Sequence, residues 1–200
     1  MLEDLTFKSL GVVNYYETLE QMRSHINEDE FKNEIWILEH PPVFTLGTAA
    51  NKKHILDSKE IPVIQSDRGG EVTYHGPGQI VIYFLLDVKK LNCGPNKLVA
   101  TIQDFMKELL LKLSIDCHFK DGAPGVYVDK KKIASIGFRI SKGKSYHGIS
   151  LNFDMDLSPF KQINPCGYEG LEVTQIKDLN KDISKLELHK MIIDTLRKVF

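Results

Sequence analysis

Cys166 stands in Ile163-Asn164-Pro165-Cys166-Gly167. A proline on one side and a glycine on the other hold the thiol on a stiff, exposed turn, where a thiolate can act as a nucleophile. Two other cysteines compete for the role. Cys93 is also followed by glycine, in Asn92-Cys93-Gly94-Pro95. Cys117 lies in an apolar stretch that reads as strand, and so as core, the common fate of an unpaired cysteine. A thiol at neutral pH needs a nearby cation or base to become reactive. The candidates are His75, His147 and the run Lys130-Lys131-Lys132. Three consecutive lysines read first as a solvated turn. Lys132 differs from its neighbours, because it opens the apolar run Ile133-Ala134-Ser135-Ile136-Gly137, where a turn becomes a buried strand. His147 enters another run, Gly148-Ile149-Ser150-Leu151-Asn152, and reads first as a hydrogen-bonded structural histidine. No set of His, Cys, Asp or Glu has zinc-like spacing, so no metal is expected.

The densest signal is Arg68-Gly69-Gly70-Glu71-Val72-Thr73-Tyr74-His75-Gly76-Pro77-Gly78-Gln79. Glycine admits unusual backbone angles and lets a ligand come close to the main chain, while proline fixes φ and removes a donor. Apolar runs flank the segment, Ile61 to Ile64 and Ile80 to Leu86. The pattern is a strand that opens into a shaped loop and closes into another strand. A pair of tight turns would explain the glycines alone; the polar residues between them favour a binding site, with His75 inside it. Neither a P-loop nor a dinucleotide fingerprint is present, so nucleotide binding has no direct support.

These residues need elements to hold them. Asn14 to Ile26 has helical character, with Asn14 and Glu17 as a capping box. Glu34 to Glu39 and Val43 to Leu46 read as strands broken by His40-Pro41-Pro42. Asn96 to Leu113 is amphipathic, placing Leu98, Ile102, Phe105, Leu109 and Leu113 on one face, with Asn96 as its cap. Ile115 to Phe119, Gly125 to Val128, Lys132 to Ile140 and Tyr146 to Phe153 read as short strands, with a charged turn across Val128 to Lys132. Ser184 to Phe200 is a terminal helix capped by Ser184 and Glu187. Strands following one another through the middle of the chain predict an α+β fold with a mixed, largely antiparallel sheet rather than a doubly wound one.

Two hundred residues suit a single domain, 1–200. The net charge of −1 gives no global attraction to nucleic acid or anionic lipid. No apolar run is long enough to span a bilayer. An odd number of cysteines without a close pair, and an N-terminus unlike a signal peptide, point to a cytoplasmic protein.

Together the segments resemble the lipoyl(octanoyl) transferase family. The likeness runs in order through His40-Pro-Pro-Val-Phe-Thr-Leu-Gly47, Arg68 to Gln79, Lys132-Ile-Ala-Ser-Ile-Gly137, His147-Gly-Ile-Ser-Leu-Asn152 and Ile163-Asn-Pro-Cys-Gly167. It covers most of the chain; Tyr127 departs from the tryptophan expected before the Lys132 segment. The resemblance implies a biotin/lipoate protein ligase-like fold. It implies that Cys166 carries octanoate as a thioester and that Lys132 works with it. It also implies that Arg68, Gly69, Gly70, Glu71, Val72, Thr73, Tyr74 and His75, with Ser135, Ile136, Gly137, Gly148, Ile149 and Ser150, line the acyl pocket. The implied donor is octanoyl-acyl carrier protein. The implied acceptors are lipoyl domains of 2-oxoacid dehydrogenase complexes and the glycine cleavage H protein. No cofactor is implied, since the incoming thioester is already activated.

An ammonium on Lys132 close to Cys166 would favour the thiolate by charge pairing. Three other readings stay open from sequence. An ATP-dependent lipoate or biotin ligase would share a glycine-rich loop but need no cysteine. A non-catalytic module would bind the carrier or acyl chain without turnover. A cysteine amidotransferase would move the acyl group between two acceptor proteins.

Overall fold

The computed structural model describes residues 5–120 and 122–200, and within them two sheets share the work of building one α+β domain. In chain order the strands are β1 (Thr6–Val12), β2 (Glu34–Glu39), β3 (Val43–Leu46), β4 (Val63–Gln65), β5 (Val72–His75), β6 (Gln79–Leu85), β7 (Gly125–Val128), β8 (Lys131–Ser141) and β9 (Lys144–Asn152). The helices are α1 (Tyr15–His25), α2 (Pro95–Lys112), α3 (Ile176–Leu179) and α4 (Lys185–Val199). The larger sheet has the order β1-β2-β6-β9-β8-β7 and is antiparallel except for the β1–β2 pair. The smaller sheet has the order β4-β3-β5, with β3–β4 parallel and β3–β5 antiparallel. The expected mixed, largely antiparallel α+β fold is the observed one.

Burial follows the sequence pattern. β6 reads Gln-Ile-Val-Ile-Tyr-Phe-Leu and is buried at every position, as a central strand covered on both faces must be. On one face α2 and α4 pack Leu98, Ile102, Phe105, Leu109, Leu188, Ile192 and Leu196 against Ile35, Ile82, Phe84 and Ile149. On the other, α1 sets Leu19 and Met22 against Trp36, Leu38, Val81 and Tyr83. A third cluster joins Phe44, Val72 and Tyr74 of the small sheet to Phe160 and Ile163, just before the cysteine turn.

Asn14 caps α1 by accepting hydrogen bonds from the Tyr16 and Glu17 amides. α4 carries the full Ser184–Glu187 capping box. α2 departs from expectation: its N-cap is Gly94, with Pro95 in the first turn, and Asn96 lies inside the helix. Proline at that position loses nothing, because the first amides of a helix have no internal partner. Ile115 to Phe119 forms no strand; one bridge, His118 to Tyr127, is all that pairs there. Cys117 is therefore half-buried at the margin of the main core rather than inside a strand. β1 has no counterpart in the sequence reading. Its burial is irregular and it holds the sheet edge, so it lacks the clean alternation that marks a half-buried strand.

Candidate active site

The segment 163–167 folds as sequence punctuation suggests. Pro165 and Gly167 bracket a 3₁₀ turn in which Cys166 adopts φ 56° and ψ 22°. That left-handed region is uncommon for a residue with a Cβ and persists only where its surroundings enforce it. The enforcing contacts come from both sides. Asn164 N donates to His54 O at 2.8 Å, and Gly167 N to Asn164 O at 2.9 Å. Past the turn, the backbone at Glu172–Thr174 pairs with β8: Lys132 N donates to Glu172 O at 2.9 Å and Thr174 N to Lys132 O at 3.0 Å.

This pairing sets the cysteine turn against Lys132. The lysine is 2 % exposed, and its Nζ lies 2.8 Å from Cys166 Sγ and 3.2 Å from Pro124 O. The aromatic ring of Tyr127 lies beneath, with Nζ 5.1 Å from its centroid, and the Tyr127 hydroxyl donates to Ala123 O at 3.1 Å. Tyrosine here supplies the aromatic face that a tryptophan would have given. Lys130 sits in the turn and Lys131 is exposed at the start of β8, so only Lys132 of the three turns inward. Two groups in this contact can share one proton, either as thiolate and ammonium or as thiol and amine.

Beside the pair a cavity of about 240 Å³ opens between the two sheets. One wall is the glycine-rich segment: Arg68, Gly69, Gly70, Glu71, Val72, Thr73 and His75. The other is Ser135, Ile136 and Gly137 of β8 with Gly148, Ile149 and Ser150 of β9, and Cys166 faces the same space. The walls are joined where Gly69 N donates to Phe138 O at 3.0 Å. Tyr74 does not line the cavity. The alternation of β5 turns its ring away, onto Phe44 and Phe160 at 5.5 Å from each. Further lining comes from Tyr15 of α1, Val81 and Tyr83 of β6, Ala49, Ala123, Pro124, His147 and Tyr168.

Arg68 is buried and braces the loop. Its guanidinium donates to Thr45 O at 2.7 Å, to Thr45 Oγ1 at 2.9 Å and to Gly69 O at 3.0 Å. Burial opposes its charge, while Tyr15, Cys166, Tyr83 and Glu71 favour it.

Neutral histidines lie in and behind the cavity wall. His40 Nδ1 donates to Val13 O at 2.7 Å, so its Nε2 accepts from the Tyr83 hydroxyl, also at 2.7 Å. Burial pulls the His40 imidazole down to about 4. His75 Nδ1 donates to Gln79 Oε1 at 2.7 Å, a direction fixed because the Gln79 amide nitrogen donates to Asn152 and Tyr74. Its ring stacks on Tyr15 with centroids 5.8 Å apart, and burial, then His40, hold it well below the usual imidazole range. His147 Nε2 donates to Asp67 Oδ1 at 2.7 Å. Burial lowers His147 despite that carboxylate. Burial would raise Asp67, but hydrogen bonds from His147, Tyr146 and Arg23 outweigh it and keep the carboxylate ionised. His147 thus fits the structural reading and also forms part of the cavity wall.

Sequence reasoning brought Cys166, Lys132 and most of the two walls to one place. It missed Tyr15, Ala49, Val81, Tyr83, Gly122, Ala123, Pro124 and Tyr168. Tyr15 and Tyr83 follow the ordinary core periodicity of a helix and a strand, so nothing local distinguishes them from packing residues.

Comparison with known proteins identifies the family and the fold. The profile of the lipoyl protein ligase A/B catalytic domain matches residues 14–197. An octanoyltransferase of Marinomonas sp. (strain MWYL1) is 50% identical over 182 residues, covering 90% of this chain and 85% of that protein. One from Shewanella oneidensis is 47% identical over 197 residues, covering 98% of this chain and 91% of that protein. Among solved structures, a lipoate-protein ligase A bound with ATP superposes with a TM-score of 0.77 at 15% identity, over 100% of this chain and 85% of that one. A biotin protein ligase from Aquifex aeolicus in complex with biotin and ATP gives 0.55 at 16% identity, over 98% of this chain and 71% of that one. At such identities the structures share the fold.

Proposed function

The chain belongs to the lipoyl protein ligase A/B catalytic family, and we propose that Cys166 and Lys132 are the pair through which it works. It is an acyltransferase that transfers octanoyl groups in protein lipoylation. The observation that carries the assignment of residues is the 2.8 Å contact between a buried lysine amine and a thiol, at the edge of a largely apolar cavity.

The donor in this reading is octanoyl-acyl carrier protein. The Cys166 thiolate attacks the donor's thioester carbonyl, the carrier's thiolate leaves, and it takes a proton from the Lys132 ammonium. The octanoyl chain lies between the β8–β9 wall and the glycine-rich wall, where each buried methylene contributes about 0.8 kcal/mol. A lysine of a lipoyl domain then attacks the acyl-enzyme. Lys132, now an amine, takes a proton from the forming amide and restores the starting pair. The acceptors are lipoyl domains of 2-oxoacid dehydrogenase complexes and the glycine cleavage H protein. Among the described residues no helix is long and apolar enough to cross a membrane. With three free cysteines, a reducing cytoplasm suits the chemistry.

Intact mass measurement after incubation with octanoyl-acyl carrier protein tests the reading. The wild-type protein gains one octanoyl group and Cys166→Ala gains none. An undiminished adduct in Cys166→Ala, or ATP-dependent transfer surviving that substitution, would replace this reading with a ligase mechanism.

A further inference from the structure

We infer that Glu71 receives the acceptor lysine, a role that rests on the proposed Cys166 acyl-enzyme and assigns the second half of its cycle. A use for such a group follows from counting protons. At neutral pH a lysine side chain arrives as –NH₃⁺. It becomes an amide nitrogen with one hydrogen, so it must lose two protons. Lys132 can take only one, because it begins this half-reaction as a neutral amine and ends it as an ammonium. Solvent is the final acceptor of the other proton, and a carboxylate where the amine enters can hold the ammonium and relay that proton outward.

Glu71 is the only carboxylate lining the cavity among the described residues. It is half-buried and sits beside the nucleophile's turn: a Cβ placed on Gly167 would lie 3.3 Å from Glu71 Cγ and 3.6 Å from its Oε1. One carboxylate oxygen is engaged, with Oε2 accepting from Asn51 N at 3.1 Å. That bond fixes the side chain and leaves Oε1 on the Gly167 side. No lysine or arginine forms an ion pair with Glu71 among the described residues, so the carboxylate is free for a cation that comes with the substrate. Arg68, Cys166 and Tyr168 line the same cavity as Glu71, and Lys52, Lys53 and His54 follow the Asn51 that holds it.

The balanced step follows. The acceptor ammonium pairs with Glu71, and one of its protons passes by way of that carboxylate to solvent. The free amine attacks the thioester carbonyl; the C–N bond forms, the C–S bond breaks and Cys166 leaves as thiolate. The second proton passes from nitrogen to Lys132.

Glu71→Gln keeps an oxygen for Asn51 N but removes the charge, and Glu71→Ala removes both. Each variant is first loaded with octanoate at Cys166 and then mixed with a lipoyl domain in a single turnover. The expected result is a transfer rate lowered by about tenfold or more beyond any change in acylation and a higher half-saturating concentration of the lipoyl domain. Discharge of the same acyl-enzymes by hydroxylamine, a neutral nucleophile, keeps the wild-type rate. Transfer at the wild-type rate in both variants would overturn the inference, as would a parallel loss with hydroxylamine, which marks a distorted site. A wild-type protein that gains no octanoate at Cys166 would instead remove the function proposed above.

Discussion

The Lys132 amine reaches the Cys166 sulfur across a position where a side chain has no room. A Cβ on Gly125 would come within 2.8 Å of Lys132 Cε and 3.0 Å of its Nζ, and 2.8 Å from Ala134 O. Gly125→Ala is therefore expected to push the amine off the sulfur while both residues of the pair are kept. Displacements of about 1 Å at a catalytic group can cost about a hundredfold in rate. We expect octanoylation of Cys166 to slow by roughly ten- to a hundredfold while the circular dichroism spectrum stays that of the wild type. Acylation at the wild-type rate would show that this close approach has no bearing on the chemistry. Gly125 was visible in the sequence only as the start of a strand, because its consequence depends on a side chain seven residues later in the neighbouring strand. Cys166 and Lys132 drew notice locally, but only the family resemblance singled them out as a pair. A thiol between proline and glycine, and a lysine entering an apolar run, are local anomalies. Tyr74 shows the opposite failure: it sits in the middle of a lining segment, yet strand alternation turns it out.

At the level of elements, legibility tracks how local the determining interactions are. α4 was readable end to end because its capping box and apolar stripe are written in the helix itself. Ser184 Oγ accepts from Glu187 N at 3.2 Å, and Glu187 Oε2 accepts from Ser184 N at 2.9 Å. Ser184→Ala should lower unfolding stability by about 1 kcal/mol in denaturant titration and leave the octanoylation rate as it was, since the helix packs on the sheet face away from α1. A stability unchanged within error would mean the cap contributes nothing in this context. β1 and the stretch from Ile115 to Phe119 were not readable, because both depend on partners distant in sequence. β1 exists through parallel pairing with β2, from Thr6–Glu34 to Val12–Glu39. The later stretch has strand-like composition but finds a single bridge.

Taken as a whole, the molecule holds His40, His75 and His147 neutral and buried around one cavity. An unfolded chain protonates these rings near pH 6.5, whereas the folded chain resists until lower pH. Between those values the unfolded state binds more protons, so stability falls as pH falls. His40 alone, at about 4 in the fold, should remove about 2 kcal/mol at pH 5 relative to neutral solution. Asp67 acts only at lower pH, because its folded value lies below that of an ordinary carboxylate. The melting temperature should therefore drop between about pH 7.5 and about pH 5, and a flat or rising trend would contradict neutral histidines in the interior. The assembly of the site has a further consequence for how the protein is made. Lys132 is tied on one side to the nearby Tyr127 and on the other to Val173, which follows the nucleophile. A ribosome delivers both sheets' strands before it delivers Cys166 and the segment that clamps it. In the proposed mechanism the strands that wall the cavity are thus made before the nucleophile they serve.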